Sequence, residues 1–135
     1  MPSTCRLLYV EDTPEDQRML NEAADLAEVP VCIVSASTAD EAIRCLIRDE
    51  AYHVLLLDWN LPAVTGTEFL ARVRTVAPRL PVLVVSGELG TVDGDALAKY
   101  NAELISRKPL SLEDWEALAR RLYTFCESVQ VATAE

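Results

Sequence analysis

Five short runs suited to β-strands alternate with stretches of helical spacing, and this alternation limits the fold more than any other feature of the chain. The runs are "RLLYV" (6–10), "VCIVSA" (31–36), "VLLLD" (54–58), "PVLVVSG" (81–87) and the less apolar "ELISRKP" (103–109). Continuous apolar runs bounded by turn signals read as strands buried on both faces, as in parallel sheets. Between them lie helical patterns. The first runs from Pro14 to about Ala27, with Met19, Leu20, Ala23, Ala24 and Leu26 on or near one face and Thr13 as its expected cap. Thr38 and Glu41 have capping-box spacing ahead of Ala42, Leu46 and Ile47. A third helix follows Gly66, carries Phe69, Leu70, Val73 and Val76, and stops at Pro78. Gly87, Gly90 and Gly94 weaken the fourth, which is expected late and short over about 94–100 after an irregular lead-in. Ser111 opens the last, with Asp114 three residues on and a stripe of Leu112, Trp115, Leu118, Leu122 and Phe125. Strands alternating with helices predict an α/β fold, a doubly wound five-stranded parallel sheet covered on both faces.

With 135 residues, one domain is expected, spanning 1–127 and followed by a flexible tail over 128–135. The chain has 22 acidic and 12 basic residues, a formal charge of −10, which disfavours direct contact with nucleic acid or anionic lipid. No run is long enough to span a bilayer and the first residues do not read as a signal peptide, so the expected location is cytoplasmic. Cys5, Cys32, Cys45 and Cys126 form no CxxC pair. They are read as small buried thiols in a reducing compartment, with a disulfide framework as the minor alternative.

The carboxyl ends of the strands are where ligands bind in open α/β sheets. The first strand ends in Glu11 and Asp12, the third in Asp58, the fourth in Ser86 and the fifth in Lys108. Carboxylates packed together oppose one another's ionisation, and a cation relieves this. With oxygen donors and no nearby His or Cys, a hard ion is implied, Mg2+ or Mn2+. Asp12 and Asp58 can supply carboxylates, Glu11 can act through a water, and the main-chain carbonyl of Asn60 can add an oxygen. Lys108 and the Ser86 hydroxyl suit a transferring phosphoryl group. Asp58 therefore reads as a nucleophile that forms an aspartyl phosphate.

At these residues the chain resembles the receiver domains of two-component response regulators, through "YVED", "LLLDWNLP" with Gly66 eight residues after Asp58, "VVSG" and "RKP" in order. The likeness runs from about Cys5 to Cys126 and is nearest to chemotaxis-type, stand-alone receivers. It implies a flavodoxin-like strand order of 2-1-3-4-5, a chemotaxis receiver being a standard example of that order. It also implies Asp58 as phosphoacceptor, Glu11 and Asp12 as the metal-binding acids, and the Asn60 carbonyl as a further metal contact. Ser86 matches the switch hydroxyl, Lys108 the invariant lysine, and Pro109 a position where the family often has a cis peptide. Asn60 and Glu88 fall at the variable positions that tune the lifetime of the phosphoryl group. Two residues depart from the pattern. Ile105 stands where a switch aromatic is usual, and Asn101 replaces a glycine that ends the fourth helix.

The function implied is a single-domain response regulator in cytoplasmic signal transduction. It takes a phosphoryl group from a histidine kinase or histidine phosphotransfer protein and then switches partner binding or relays the group in a phosphorelay. Such a protein carries autophosphorylation and autodephosphorylation chemistry without being a conventional turnover enzyme. A downstream protein would dock on the face of the fourth helix, fifth strand and fifth helix, with the chain a monomer or weak dimer. The alternative is a receiver-fold interaction module in which phosphorylation is incidental, motivated by Ile105 and the glycine-rich region of the fourth helix. A haloacid dehalogenase-type phosphatase needs a second Asp where this chain has Asn60, and the acidic rim disfavours an FMN-binding flavodoxin. Trp59 is read as a partly exposed aromatic flanking the site, and His53 as a structural residue at a strand entrance.

Overall fold

A computed structural model describes residues 4–49 and 51–134. Five strands, β1 (Cys5–Val10), β2 (Val31–Ala36), β3 (Val54–Asp58), β4 (Val82–Ser86) and β5 (Ala102–Arg107), form one sheet in the order β2-β1-β3-β4-β5. All neighbouring pairs are parallel, with Leu7 opposite Val54 and Asp58 opposite Val85. The expected strand order is the one found.

Alternation along the strands divides the core. Leu8, Val10, Leu55, Leu57 and Val84 pack on one face, against α2 (Ala39–Arg48), α3 (Gly66–Val76) and α4 (Gly94–Lys99). Leu7, Tyr9, Leu56, Leu83 and Val85 pack on the other, against α1 (Pro14–Leu26) and α5 (Leu112–Ala134). Leu55, Leu56 and Leu57 are therefore all buried, at about 1.5–3 kcal/mol each. This explains why β3 reads as an unbroken apolar run rather than an alternating one.

Local capping follows the sequence in most places. Thr38 accepts from the Glu41 amide at 3.1 Å, while the Glu41 carboxylate accepts from the Ser37 amide at 3.2 Å. Ser111 accepts from the Asp114 amide. Thr13 precedes α1 as expected, but its side chain makes no capping bond. Its amide instead donates to Glu11 Oε2 at 3.3 Å, which engages the acidic rim in the helix start. A short 3-10 turn (Leu89–Thr91) forms the irregular lead-in to α4. Asn101 has φ of 54°, the left-handed conformation that Asn tolerates at a helix end.

Several expectations are corrected. Cys5 and Cys126 are not thiols but a disulfide, with Cα atoms 6.0 Å apart, because α5 packs against the first residue of β1. Cys45 is buried as expected, whereas Cys32 is exposed, on an edge strand. The helix α5 spans Leu112–Ala134. Gln130 Nε2 lies 3.4 Å from the Thr4 carbonyl and 3.3 Å from His53 Nε2, so this turn has tertiary partners. No cis peptide occurs among the described residues, so the bond before Pro109 is trans, the geometry favoured by about 0.5–1 kcal/mol even at proline. Trp59 is buried, only 7% exposed.

Candidate phosphoacceptor site

The chain reverses its winding between β1 and β3, which leaves a crevice at their carboxyl ends. β1 delivers Glu11 and Asp12 there, and β3 delivers Asp58. Carboxylate oxygens of these three residues lie within 4.8 Å of one another. The Glu11 amide extends the ladder to the Ala36 carbonyl, and the Trp59 amide does the same to Val85, so the sheet fixes the backbone at Glu11 and Asp58. The Lys108 amide donates to the Ser86 carbonyl at 2.8 Å, which sets the end of β5 beside that of β4.

The Lys108 ammonium reaches across this crevice. Nζ lies 3.1 Å from Asp58 Oδ2, 2.7 Å from Asp16 Oδ2, and in contact with Glu11 Oε1. Burial pulls the lysine pKa down, but the ion pairs with Asp16 and Glu11 outweigh it and hold the group above its ordinary value. Glu11 is fully buried. Burial pushes its carboxyl up to about 8, with Lys108 opposing the rise and Asp58 adding to it. The Tyr9 phenol donates to Glu11 Oε1 at 3.2 Å and is itself shifted upward by burial. One lysine thus leaves the acidic group short of positive charge.

A second network lies on the other side of Asp58. The Asn60 amide donates to Asp58 Oδ1 at 3.1 Å. The Ser86 hydroxyl sits 2.7 Å from Asn60 Oδ1 and 2.9 Å from the Glu88 carbonyl, and accepts from the Glu88 amide at 3.0 Å. Asn60 Nδ2 donates to Thr91 Oγ1, and the Trp59 indole donates to the Thr91 carbonyl, both at 2.9 Å. The turn after Asp58 is thereby tied to the loop after β4. Ile105 is the extra residue of a bulge in β5, where the register to β4 steps from Val84↔Leu104 to Val85↔Ser106. It packs with the α1 and α5 face of the core.

All six candidate residues thus gather at one edge of the sheet. His53 lies apart from them and accepts the Arg6 amide at Nδ1. The sequence reading missed Asp16, Thr91 and Tyr9. Asp16 carried a usable signal, an acid in the first turn of a helix that starts at the acidic rim. Thr91 carried none, since the site residues it ties together, Trp59 and Asn60, are 32 and 31 residues away.

The chain matches the response regulator receiver domain family over residues 7–120. It is 30% identical over 118 residues to the transcriptional regulatory protein TctD of Salmonella typhimurium, covering 87% of this chain and 51% of that protein. It is 32% identical over 110 residues to the two-component response regulator ORR41 of rice, covering 80% of this chain and 86% of that one. The chain thus spans about half the length of the first of these relatives. Among solved structures, the chemotaxis response regulator CheY4 of Vibrio cholerae superposes with a TM-score of 0.70 at 21% identity, covering 89% of this chain and 99% of that one. The phosphorylated cyanobacterial phytochrome response regulator RcpA gives 0.72 at 24%, covering 91% and 94%. These two likenesses speak to the fold, and the sequence match over residues 7–120 speaks to descent. Together they place the chain in the response regulator receiver domain family.

Proposed function

We propose that this chain accepts a phosphoryl group on Asp58 from a phosphohistidine of a kinase or phosphotransfer protein, and that the product switches binding to a second protein or passes the group on. The observation that carries this reading is the Asp58 carboxylate at the β1/β3 crevice, 3.1 Å from the Lys108 ammonium and grouped with Glu11 and Asp12.

An Asp58 oxygen attacks phosphorus, the P–N bond opposite breaks with its electrons passing to the donor imidazole, and an acyl phosphate results. Lys108 donates to a phosphoryl oxygen as charge gathers there. The donor set fits a hard divalent ion, because it is all oxygen and leaves Glu11 undercompensated. Mg2+ or Mn2+ held by Glu11, Asp12, Asp58 and the Asn60 carbonyl would supply charge neutralisation on the phosphoryl oxygens. The Ser86 hydroxyl must leave Asn60 to reach the new phosphate. That step loosens the Asn60–Thr91 tie and shifts the loop ahead of α4. Because Ile105 has no ring to rotate, this loop is the transmitting element. The docking surface in this reading is the face of α4, β5 and α5, and the exposed Leu110, two residues past Lys108 in the segment joining β5 to α5, supports it.

Incubation with acetyl phosphate and Mg2+ should add the mass of one phosphoryl group, and Asp58→Asn should abolish it. No gain, or a gain that survives that substitution, would refute the reading.

A further inference from the structure

Among the described residues, Asp16 is the one Lys108 ion-pair partner outside the acidic group formed by Glu11, Asp12 and Asp58. It sits in the first turn of α1, 2.7 Å from Nζ, with its side chain 26% exposed against 18% for the lysine. An ammonium has three N–H donors. Here three carboxylates, those of Glu11, Asp16 and Asp58, take them. A phosphoryl oxygen is a fourth acceptor and must displace one.

The three do not yield alike. Phosphorylation removes the charge from the Asp58 carboxylate, so its hold on Lys108 lapses only once the bond to phosphorus has formed, after the incoming group has already had to find a donor. Glu11 belongs to the acidic group, and a cation there competes with Lys108 for it. Among the described residues Asp16 makes no other ion pair or side-chain hydrogen bond in the crevice, and it is carried by the first turn of α1.

We infer that Asp16 is a positioning residue that competes with the phosphoryl group for Lys108, and so restrains phosphorylation of Asp58. The inference rests on Asp58 being the phosphoacceptor. Its charge acts in the same direction as its contact, since an anion beside Lys108 lowers the positive potential offered to a phosphoryl dianion.

The test compares the parent with Asp16→Asn, Asp16→Glu, Lys108→Met and the Asp16→Asn/Lys108→Met pair at saturating Mg2+. It measures beryllofluoride affinity and the rate of phosphate gain from acetyl phosphate. Asp16→Asn should raise both by about five- to tenfold, the order expected for losing one partly exposed, charge-assisted contact. Asp16→Glu retains the charge and should fall much nearer the parent. On the Lys108→Met background the Asn substitution should change either quantity by about twofold or less, a residual through-space charge effect. In metal-free protein, reductive methylation of Lys108 Nζ, read by peptide mass, should be several-fold faster in Asp16→Asn. If the parent neither binds beryllofluoride nor gains phosphate, the reading of Asp58 falls and this inference with it. If the parent does both and Asp16→Asn matches it, or if the gain persists undiminished without Lys108, the role of Asp16 alone is refuted. Unchanged methylation would refute the ion pair on which the role depends.

Discussion

Trp59 follows Asp58 directly, and its ring closes the gap between β3 and α3. A β-carbon placed on Gly66 would stand 2.5 Å from the indole carbons Cδ2 and Cε3, closer than any relaxed contact. The ring has little room to retreat, because it is buried and its Nε1 is bonded to the Thr91 carbonyl. Gly66→Ala should therefore destabilise the fold by about 1–3 kcal/mol, the usual cost of forcing atoms into a packed site. Urea unfolding followed by tryptophan fluorescence measures it, and a change within about 0.5 kcal/mol, the range of an ordinary surface substitution, would contradict the packing. The sequence placed Gly66 at the right distance from Asp58 but left Trp59 partly exposed. Its burial depends on where the loop after β4 crosses the turn after β3, a contact that no local pattern encodes.

Among the elements, the C-terminal ends of α3 and α4 are tied together by one guanidinium. Arg74, in the last turn of α3, donates to the carbonyls of Tyr100 and Leu80, each at 2.7 Å, and of Ala77 and Asn101, each at 3.1 Å. The Ala77, Tyr100 and Asn101 carbonyls lie just past the two helices, where helical partners run out, and that of Leu80 lies in the segment leading to β4. Arg74→Ala should cost about 2–3 kcal/mol, since it strips charge-assisted bonds and leaves half-buried carbonyls without donors. Arg74→Lys should recover only part of this, because a single ammonium cannot reproduce the planar fork. Full recovery in thermal unfolding would show that charge alone suffices. The strands and the long helices were legible because apolar runs, Pro78 and the capping residues Thr38 and Ser111 act locally. The bulge at Ile105 and the junction at Arg74 were not, since register and carbonyl geometry emerge only when distant segments meet. The same distinction holds at the site. Strand ends announced Glu11, Asp12, Asp58, Ser86 and Lys108, whereas Asp16 entered through the placement of a helix.

Across the whole molecule, the two ends of the sheet are built for different work. The carboxyl edge holds the acids and the lysine. The opposite edge holds Cys5 at the start of β1, joined to Cys126 of α5, with His53 and Gln130 close by. A separation of 121 residues leaves no local sequence signal for this pair. That length also gives the bond its leverage, because closing a loop of about 100 residues removes denatured-state entropy worth about 4–5 kcal/mol. Dithiothreitol should lower the unfolding free energy of the parent by about that amount, while Cys126→Ala should already lack it and respond no further to reductant. Since the disulfide sits at the far end of β1 from Glu11, reduction should leave beryllofluoride affinity unchanged under conditions where the protein stays folded. A parent as stable reduced as oxidised would mean that the bond does not tie the fold. A loss of beryllofluoride binding on reduction would mean that the two edges communicate through β1 and α5, against the independence argued from their placement.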